Sequence, residues 1–162
     1  MTQSKNNRHL DPNITIRAIK PSDFEAWKEL WDGYNTFYGR SGVTALSLEI
    51  TETTWRRFFD SSEPVHALVA EKSGQLLGLV HFIFHRSTIQ IVPTCYLQDL
   101  FTREEARGIG VGQALIEAVY EQAKIIGCPR VYWHTHQTNT TAMRLYDEIS
   151  ENSGSVVYRK VF

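Results

Sequence analysis

The chain has 162 residues, of which 42% are hydrophobic and 22% charged, an ordinary composition for a globular protein. Its formal net charge of −1 gives no broad basic surface, so we expect neither nucleic acid nor a membrane as a partner. Its two cysteines, Cys95 and Cys128, form no CxxC pair, and the polar segment Met1–Leu10 does not resemble an apolar leader. We therefore expect a soluble cytoplasmic protein with a flexible tail over 1–12 and a single domain over 13–162.

The first half of the chain predicts a strand, two helices and three further strands. Alternating residues predict a strand over 14–18, and the apolar spacing after Ser22 predicts a helix that ends before Gly39. A second helix is predicted over 52–59. The three strands, with a hairpin turn around Gly74 between the first two, are predicted over 65–70, 76–85 and 95–101.

The second half predicts an alternation of helices and strands. An amphipathic helix follows Gly112 and stops at Gly127, because glycine is favoured just after a helix end. The remaining elements are predicted as a strand over 131–134, a short helix over 139–149 and a last strand over 156–161. This order predicts an α/β fold with a mixed β-sheet and helices on both faces.

A glycine-rich loop, Arg107-Gly108-Ile109-Gly110-Val111-Gly112, connects a predicted strand to the amphipathic helix. The unpaired N–H groups of a first helical turn and the helix dipole favour an anion such as a pyrophosphate. A turn needed only for tight strand-to-helix packing is the alternative interpretation. The spacing does not match the dinucleotide fingerprint G-x-G-x-x-G, and the lysine that a P-loop requires is missing after these glycines.

Three motifs in order resemble the GNAT superfamily of N-acetyltransferases. The sequence Arg107-x-x-Gly110-x-Gly112 is similar to the family signature R/Q-x-x-G-x-G/A, and residues 96–102 resemble the family's cofactor-binding strand. Residues 139–146 resemble its N-x-x-A-x-x-L-Y helix. Within the superfamily, the sequence is most similar to the polyamine acetyltransferases and the yeast Hpa-type histone and amino-acid acetyltransferases. The resemblance implies the GNAT fold, a central mixed β-sheet flanked by helices on both faces.

The resemblance also implies an acetyl-CoA-dependent reaction in which a primary amine attacks the thioester directly. The N–H of Leu100 would polarise the acetyl carbonyl, and Tyr146 would donate a proton to the departing thiolate. The residues that would contact acetyl-CoA are Leu100, Phe101, Thr102, Arg107, Gly108, Ile109, Gly110, Val111, Gly112, Gln113, Asn139 and Tyr146.

The acceptor side is less determined by the sequence. Related polyamine enzymes carry an acidic residue at the position of Gln98, a neutral amide that cannot act as a base. The neighbouring Asp99 points to the opposite face of a regular strand unless a bulge intervenes. We expect Asp99 and Gln98 to bind the acceptor, with water as the proton acceptor. The identity of the amine stays open among a small amine, an amino acid, a polyamine and a lysine side chain.

Three further expectations complete the sequence analysis. The alternative function is a non-catalytic acyl-CoA-binding sensor. Tyr146 disfavours it, because a sensor does not need a proton donor. No metal is expected, because the pair His134 and His136 lacks further ligands nearby in the sequence. A homodimer is expected, because the apolar segment 156–158 predicts an edge strand that needs cover.

Overall fold

The fold is built on one twisted sheet in the computed structural model, which describes residues 10–162. The strands lie in the order β1 to β5 across the sheet and comprise Thr15–Ala18, Val65–Lys72, Gln75–His85, Thr94–Thr102 and Val131–Tyr132. The α-helices α1 to α4 comprise Phe24–Phe37, Leu48–Arg57, Val111–Ile125 and Thr140–Ile149. None of the helices within residues 10–162 is long and apolar enough to cross a membrane.

The sheet is mixed, as the order of elements predicts. Strands β1 to β4 pair antiparallel, whereas β4 and β5 pair parallel. The hairpin between β2 and β3 turns through Ser73 and Gly74, whose φ angles of 50° and 81° both lie in the left-handed region. Two successive left-handed residues match the right-handed twist of the flanking strands, which is why such turns are favoured in hairpins.

Each face of the sheet carries its own hydrophobic core, because the central strands are apolar on both sides. Leu79 of β3 packs with Trp27 and Leu30 of α1 on one face. Its neighbour Val80 packs with Leu115 of α3 on the other face. Helix α4 adds Leu145, Tyr146 and Ile149 to the edge of the core on the α3 side. Helices therefore cover both faces, which confirms the predicted fold class.

The predicted last strand is wrong. Residues 151–162 have no regular secondary structure, and Val156 and Tyr158 are 73% and 92% exposed. Strand β5 is the edge strand that follows β4 in the sheet. It has only two residues, so it offers few backbone groups to which a further strand could pair. Strand β5 also ends at Tyr132, two residues earlier than predicted.

The N-terminal boundaries also differ in detail from the prediction. Helix α2 begins at Leu48, four residues before the predicted start, because the Ser47 side chain accepts a hydrogen bond from the Ile50 N–H. Residues 1–9 of the predicted tail lie outside the described residues. Asp11, also assigned to that tail, makes an ion pair of 2.6 Å with Lys72 of β2.

Candidate active site

A gap opens between β4 and β5. The two strands pair at Cys95–Val131 and Tyr96–Tyr132, and among residues 10–162 β4 has no strand partner on that side beyond Tyr96. On its other side β4 remains paired with β3 as far as Thr102. The gap therefore leaves a stretch of backbone inside the sheet available for hydrogen bonding.

Leu100 and Thr102 direct their backbone groups into this gap. The Arg103 N–H donates to the Leu77 carbonyl of β3 over 2.8 Å, and backbone groups alternate in direction along an antiparallel strand. A Cβ added at Gly78 would lie 2.8 Å from the Phe101 carbonyl oxygen, so the Phe101 backbone also faces β3. The Phe101 backbone thus faces β3 rather than the gap, and its contact with acetyl-CoA stays a prediction.

The glycine loop meets the start of α3 at the end of this gap. Gly108 and Gly110 have φ angles of 78° and 90°, which favour glycine. The helical hydrogen bonds start with the Ala114 N–H donating to the Gly110 carbonyl over 3.0 Å. The preceding N–H groups, those of residues 111–113, have no partner within the helix and lie at its positive end. They are the N–H groups at which the motif predicts an anion.

Two arginines near the loop differ in their orientation. The Arg107 Nε donates to the Thr102 carbonyl over 3.3 Å, so this side chain lies between the loop and the gap. Arg103 instead donates to the Leu76 carbonyl and to Glu29 of α1, each over 2.8 Å. The backbone N–H of Arg107 is also engaged, with the Glu104 carbonyl at 3.2 Å, so it does not join the amides that point at an anion.

Helix α4 carries Tyr146 and packs beside the start of α3, and Asn139 immediately precedes this helix. A Cβ added at Gly112 would lie 4.0 Å from the Leu145 side chain, so α4 packs beside the start of α3. The half-buried Tyr146 ring packs edge-on against Trp133 with centroids 5.3 Å apart. Burial raises the pKa of Tyr146 to about 12, so the phenol keeps its proton at neutral pH. Asn139 donates through Nδ2 to the Thr135 hydroxyl over 3.2 Å.

A β-bulge resolves the orientation of Asp99. Asp99 pairs with His81 and Leu97 pairs with Phe82, so Gln98 is an extra residue in β4. Leu97 belongs to the core on the α3 side, and the extra residue allows Asp99 to lie on the α1 side with His81. Gln98 is exposed, whereas Asp99 is only 7% exposed.

A buried hydrogen-bonded chain, Trp27–His81–Asp99, fixes the orientation of the Asp99 side chain. The Trp27 Nε1–H donates to His81 Nε2 over 3.0 Å, and His81 Nδ1 lies 3.0 Å from Asp99 Oδ2. Because an indole N–H can only donate, Nε2 must be the acceptor, which leaves Nδ1 as the N–H of the ring. His81 therefore donates to Asp99 Oδ2.

An aromatic wall of three tyrosines surrounds this carboxylate. Burial raises the pKa of the Tyr34 phenol, and the charge and hydrogen-bonding of Asp99 raise it further. Burial and then the charge of Asp99 also raise the pKa of Tyr38 and of Tyr96. The three come from α1, from its C-terminal end and from β4. Tyr34 and Tyr38 were not predicted as site residues. The apolar helical stripe that contains Tyr34 is also the pattern of an ordinary core-facing helix.

Other histidines near the sheet have protein partners. His85 Nε2 lies 2.8 Å from the Tyr132 hydroxyl, and His134 Nδ1 lies 3.4 Å from the Tyr96 hydroxyl. Within residues 10–162, no three His, Cys, Asp or Glu side chains are grouped to hold a metal ion.

Comparisons with known proteins extend these observations. A family profile described as "Acetyltransferase (GNAT) family" matches residues 24–149. The D-amino-acid N-acetyltransferase HPA3 of Saccharomyces cerevisiae is 32% identical over 162 residues, which cover 99% of this chain and 98% of that protein. The L-ornithine N5-acetyltransferase NATA1 of Arabidopsis thaliana is 37% identical over 54 residues, 33% of this chain and 24% of that protein. Among solved structures, AAC(6')-Iy with the bisubstrate analogue CoA-S-monomethyl-acetylneamine has the same fold, with a TM-score of 0.77 and 16% identity over 92% of this chain and 98% of that one.

Proposed function

The chain belongs to the acetyltransferase (GNAT) family, and from that membership we propose that it acetylates the primary amine of a small molecule bound at Asp99. Membership makes the chain an enzyme that transfers acetyl from acetyl-CoA to nitrogen, as the sequence motifs predict, and sets aside the sensor alternative. The names of HPA3 and NATA1 state amino-acid acceptors, which supports a small molecule over a protein lysine. The observation that carries the acceptor proposal is the buried Asp99 carboxylate, one residue before Leu100.

The cofactor half of the site suits acetyl-CoA by its unpaired backbone groups. We place the pyrophosphate at the N–H groups of residues 111–113, where the α3 dipole favours an anion. The pantetheine arm would lie in the gap and pair with Leu100 and Thr102, as a further strand would. Support for this placement is that both residues turn their backbone away from β3.

In the proposed reaction, the chain binds, orients and moves one proton. Asp99 attracts the ammonium form of the acceptor and positions it, and water takes the proton that must leave before attack. His81 does not take it directly, because both of its ring nitrogens have partners. As the C–N bond forms, the Leu100 N–H donates to the developing oxyanion. When the C–S bond breaks, Tyr146 donates its proton to the departing thiolate, and the proton that the new amide nitrogen loses restores the phenol through water.

The substitution Asp99→Asn tests the acceptor proposal while preserving shape. We expect the KM for the amine to rise by about 10- to 100-fold, because a charge-assisted contact is lost, and the KM for acetyl-CoA to stay within about twofold. Steady-state kinetics with thiol release as the readout measure both constants. The control Asp60→Asn removes an exposed carboxylate far along the chain and should change neither. A lower melting temperature with unchanged amine kinetics would assign Asp99 a structural role instead.

We also propose a homodimer. Supporting it, Val156, Val157 and Tyr158 are exposed together in the segment after α4, and apolar surface of that kind favours burial against a second chain. Light scattering at micromolar concentration tests it, and a monomer there would contradict it. The cytoplasmic location stays a prediction from the sequence.

A further inference from the structure

We propose that Arg40 binds an anionic group of the acceptor, so that the preferred substrate is a zwitterion such as an α-amino acid. The inference rests on the proposed function, because it adds a second contact to an amine already held at Asp99. It assigns substrate selectivity to a residue outside the three family motifs.

Arg40 is held in place from the C-terminal end of α1. Its backbone N–H donates to the Asn35 carbonyl over 2.8 Å, and its Nε donates to Asn35 Oδ1 over 2.7 Å. Asn35 is itself 4% exposed and fixed by a 2.8 Å bond from Nδ2 to the Trp31 carbonyl. A long flexible side chain is thus ordered before any ligand arrives, which lowers the entropic cost of using it for binding.

The guanidinium lies on the same aromatic wall as Asp99. Its central carbon is 5.6 Å from the ring centroid of Tyr34 and 5.5 Å from that of Tyr38. The phenols of those two rings are the ones whose pKa burial and Asp99 raise, and Arg40 opposes that rise at both. Trp31 stacks on Tyr34 with ring centroids 5.4 Å apart and lies 5.2 Å from the His81 ring that contacts Asp99, so adjoining aromatic rings connect the guanidinium to the carboxylate.

The terminal N–H groups of Arg40 are available for a ligand. Within residues 10–162 the ion pairs of arginine involve Arg17, Arg57 and Arg103, whereas Arg40 has none. Its two Nη groups have no hydrogen-bond partner among the same residues, and only Nε is engaged. A planar pair of free N–H donors is suited to a carboxylate, which can accept two parallel bonds.

An α-amino acid carries the two complementary charges close together. Its nitrogen and carboxylate carbon are joined through one Cα by bonds of about 1.5 Å each. Charge-assisted bonds of about 2.8 Å at each end would link it to Asp99 and Arg40. A polyamine would instead bring a second cation toward the guanidinium, which is unfavourable. The arrangement thus favours amino acids over polyamines.

Matched acceptor pairs that differ only in a carboxylate test the inference. D- and L-phenylalanine are compared with phenethylamine, and D- and L-leucine with isoamylamine, by kcat/KM at saturating acetyl-CoA. The wild type should prefer an amino acid over its matched amine. Arg40→Gln should lower kcat/KM for that amino acid by about 10- to 100-fold and change the matched amine by less than about threefold. Arg40→Lys keeps the positive charge but lacks the two parallel N–H donors of the guanidinium. Its kcat/KM for the amino acid should lie between those of the wild type and Arg40→Gln.

The control Arg56→Gln removes an exposed guanidinium from α2 and should leave both members of each pair unchanged. Equal losses for amino acid and amine, in Arg40→Gln or in Arg40→Lys if the first variant fails to fold, would overturn the role of Arg40. Efficient acetylation of the amines with no dependence on Arg40 would also overturn it and leave the proposed function intact. Acetylation of no member of either pair by the wild type would overturn both.

Discussion

The two faces of the sheet differ in what they offer to a ligand. On the α3 face, the candidate cofactor site consists of backbone N–H and C=O groups from one stretch of chain between Leu100 and Gln113. On the α1 face, the candidate acceptor site consists of side chains, and Trp27, His81 and Asp99 come from segments 54 and 18 residues apart. The geometry of a site made of backbone groups is preserved by most side-chain substitutions. A site made of side chains changes when a single one of them is replaced.

The largest expected effect lies at Tyr146, the proposed proton donor. Tyr146→Phe keeps the ring and removes the proton, so kcat should fall by about 10²–10⁴-fold while the affinity for acetyl-CoA stays nearly constant. Calorimetry and single-turnover kinetics separate the two. The control Tyr120→Phe removes another half-buried phenol, which donates to the Ile149 carbonyl, and should leave kcat unchanged. An unchanged kcat in Tyr146→Phe, with chemistry rate-limiting, would remove Tyr146 from the mechanism.

A smaller effect is expected at Gly110 and tests the backbone site. Gly110→Asp should raise the acetyl-CoA Kd by about 10- to 100-fold, because a left-handed residue with a side chain costs about 1–2 kcal/mol and the carboxylate repels the pyrophosphate. Calorimetry measures the Kd. Gly74→Asp is the control, since Gly74 has a φ of 81° in a hairpin turn on another part of the sheet. Equal affinities in the two variants would place the pyrophosphate elsewhere.

The smallest effect is expected at Trp27 and tests the side-chain site. Trp27→Phe keeps an aromatic ring but removes the N–H that donates to His81 Nε2, so the imidazole no longer holds the Asp99 carboxyl in one orientation. In steady-state kinetics we expect the KM for the amine to rise a few-fold and the KM for acetyl-CoA to stay unchanged. The control is Trp31→Phe, because the Trp31 Nε1 is buried without a hydrogen-bond partner in the described chain. Equal KM values for the amine in both variants would contradict the role assigned to Trp27.

The same difference between the two sites explains what the sequence could predict. The glycine loop is readable because positive φ at Gly108 and Gly110 restricts residue type, so a backbone requirement appears directly as a motif. The contact between Trp27 and His81 depends on how α1 packs across β3, which no local pattern encodes. The face on which Asp99 lies could be predicted only on the condition that a bulge was present or absent. One extra residue, Gln98, reverses that face without a distinct sequence signal.

The wrong prediction of a last strand has a related cause. Val156, Val157 and Tyr158 have high β-propensity, but that propensity reflects how well a side chain fits a pleated, partly buried surface. With only Val131 and Tyr132 in β5, little such surface is available to them in a single chain.

The gap beside β4 has a consequence for the solubility of the fold. Unpaired N–H and C=O groups on an outer strand invite pairing with the strands of other molecules, a common route to aggregation. Here the Leu100 backbone groups and the Thr102 N–H lie in a recess, with β5 on one side and the start of α3 at its end, while the Thr102 carbonyl accepts from the Arg107 Nε. A protein strand would have to bring its side chains into that recess. A thin linear chain with amides, such as a pantetheine arm, would not. A gap that binds such a chain, as proposed for acetyl-CoA, can thus leave strand backbone unpaired while hiding it from other proteins.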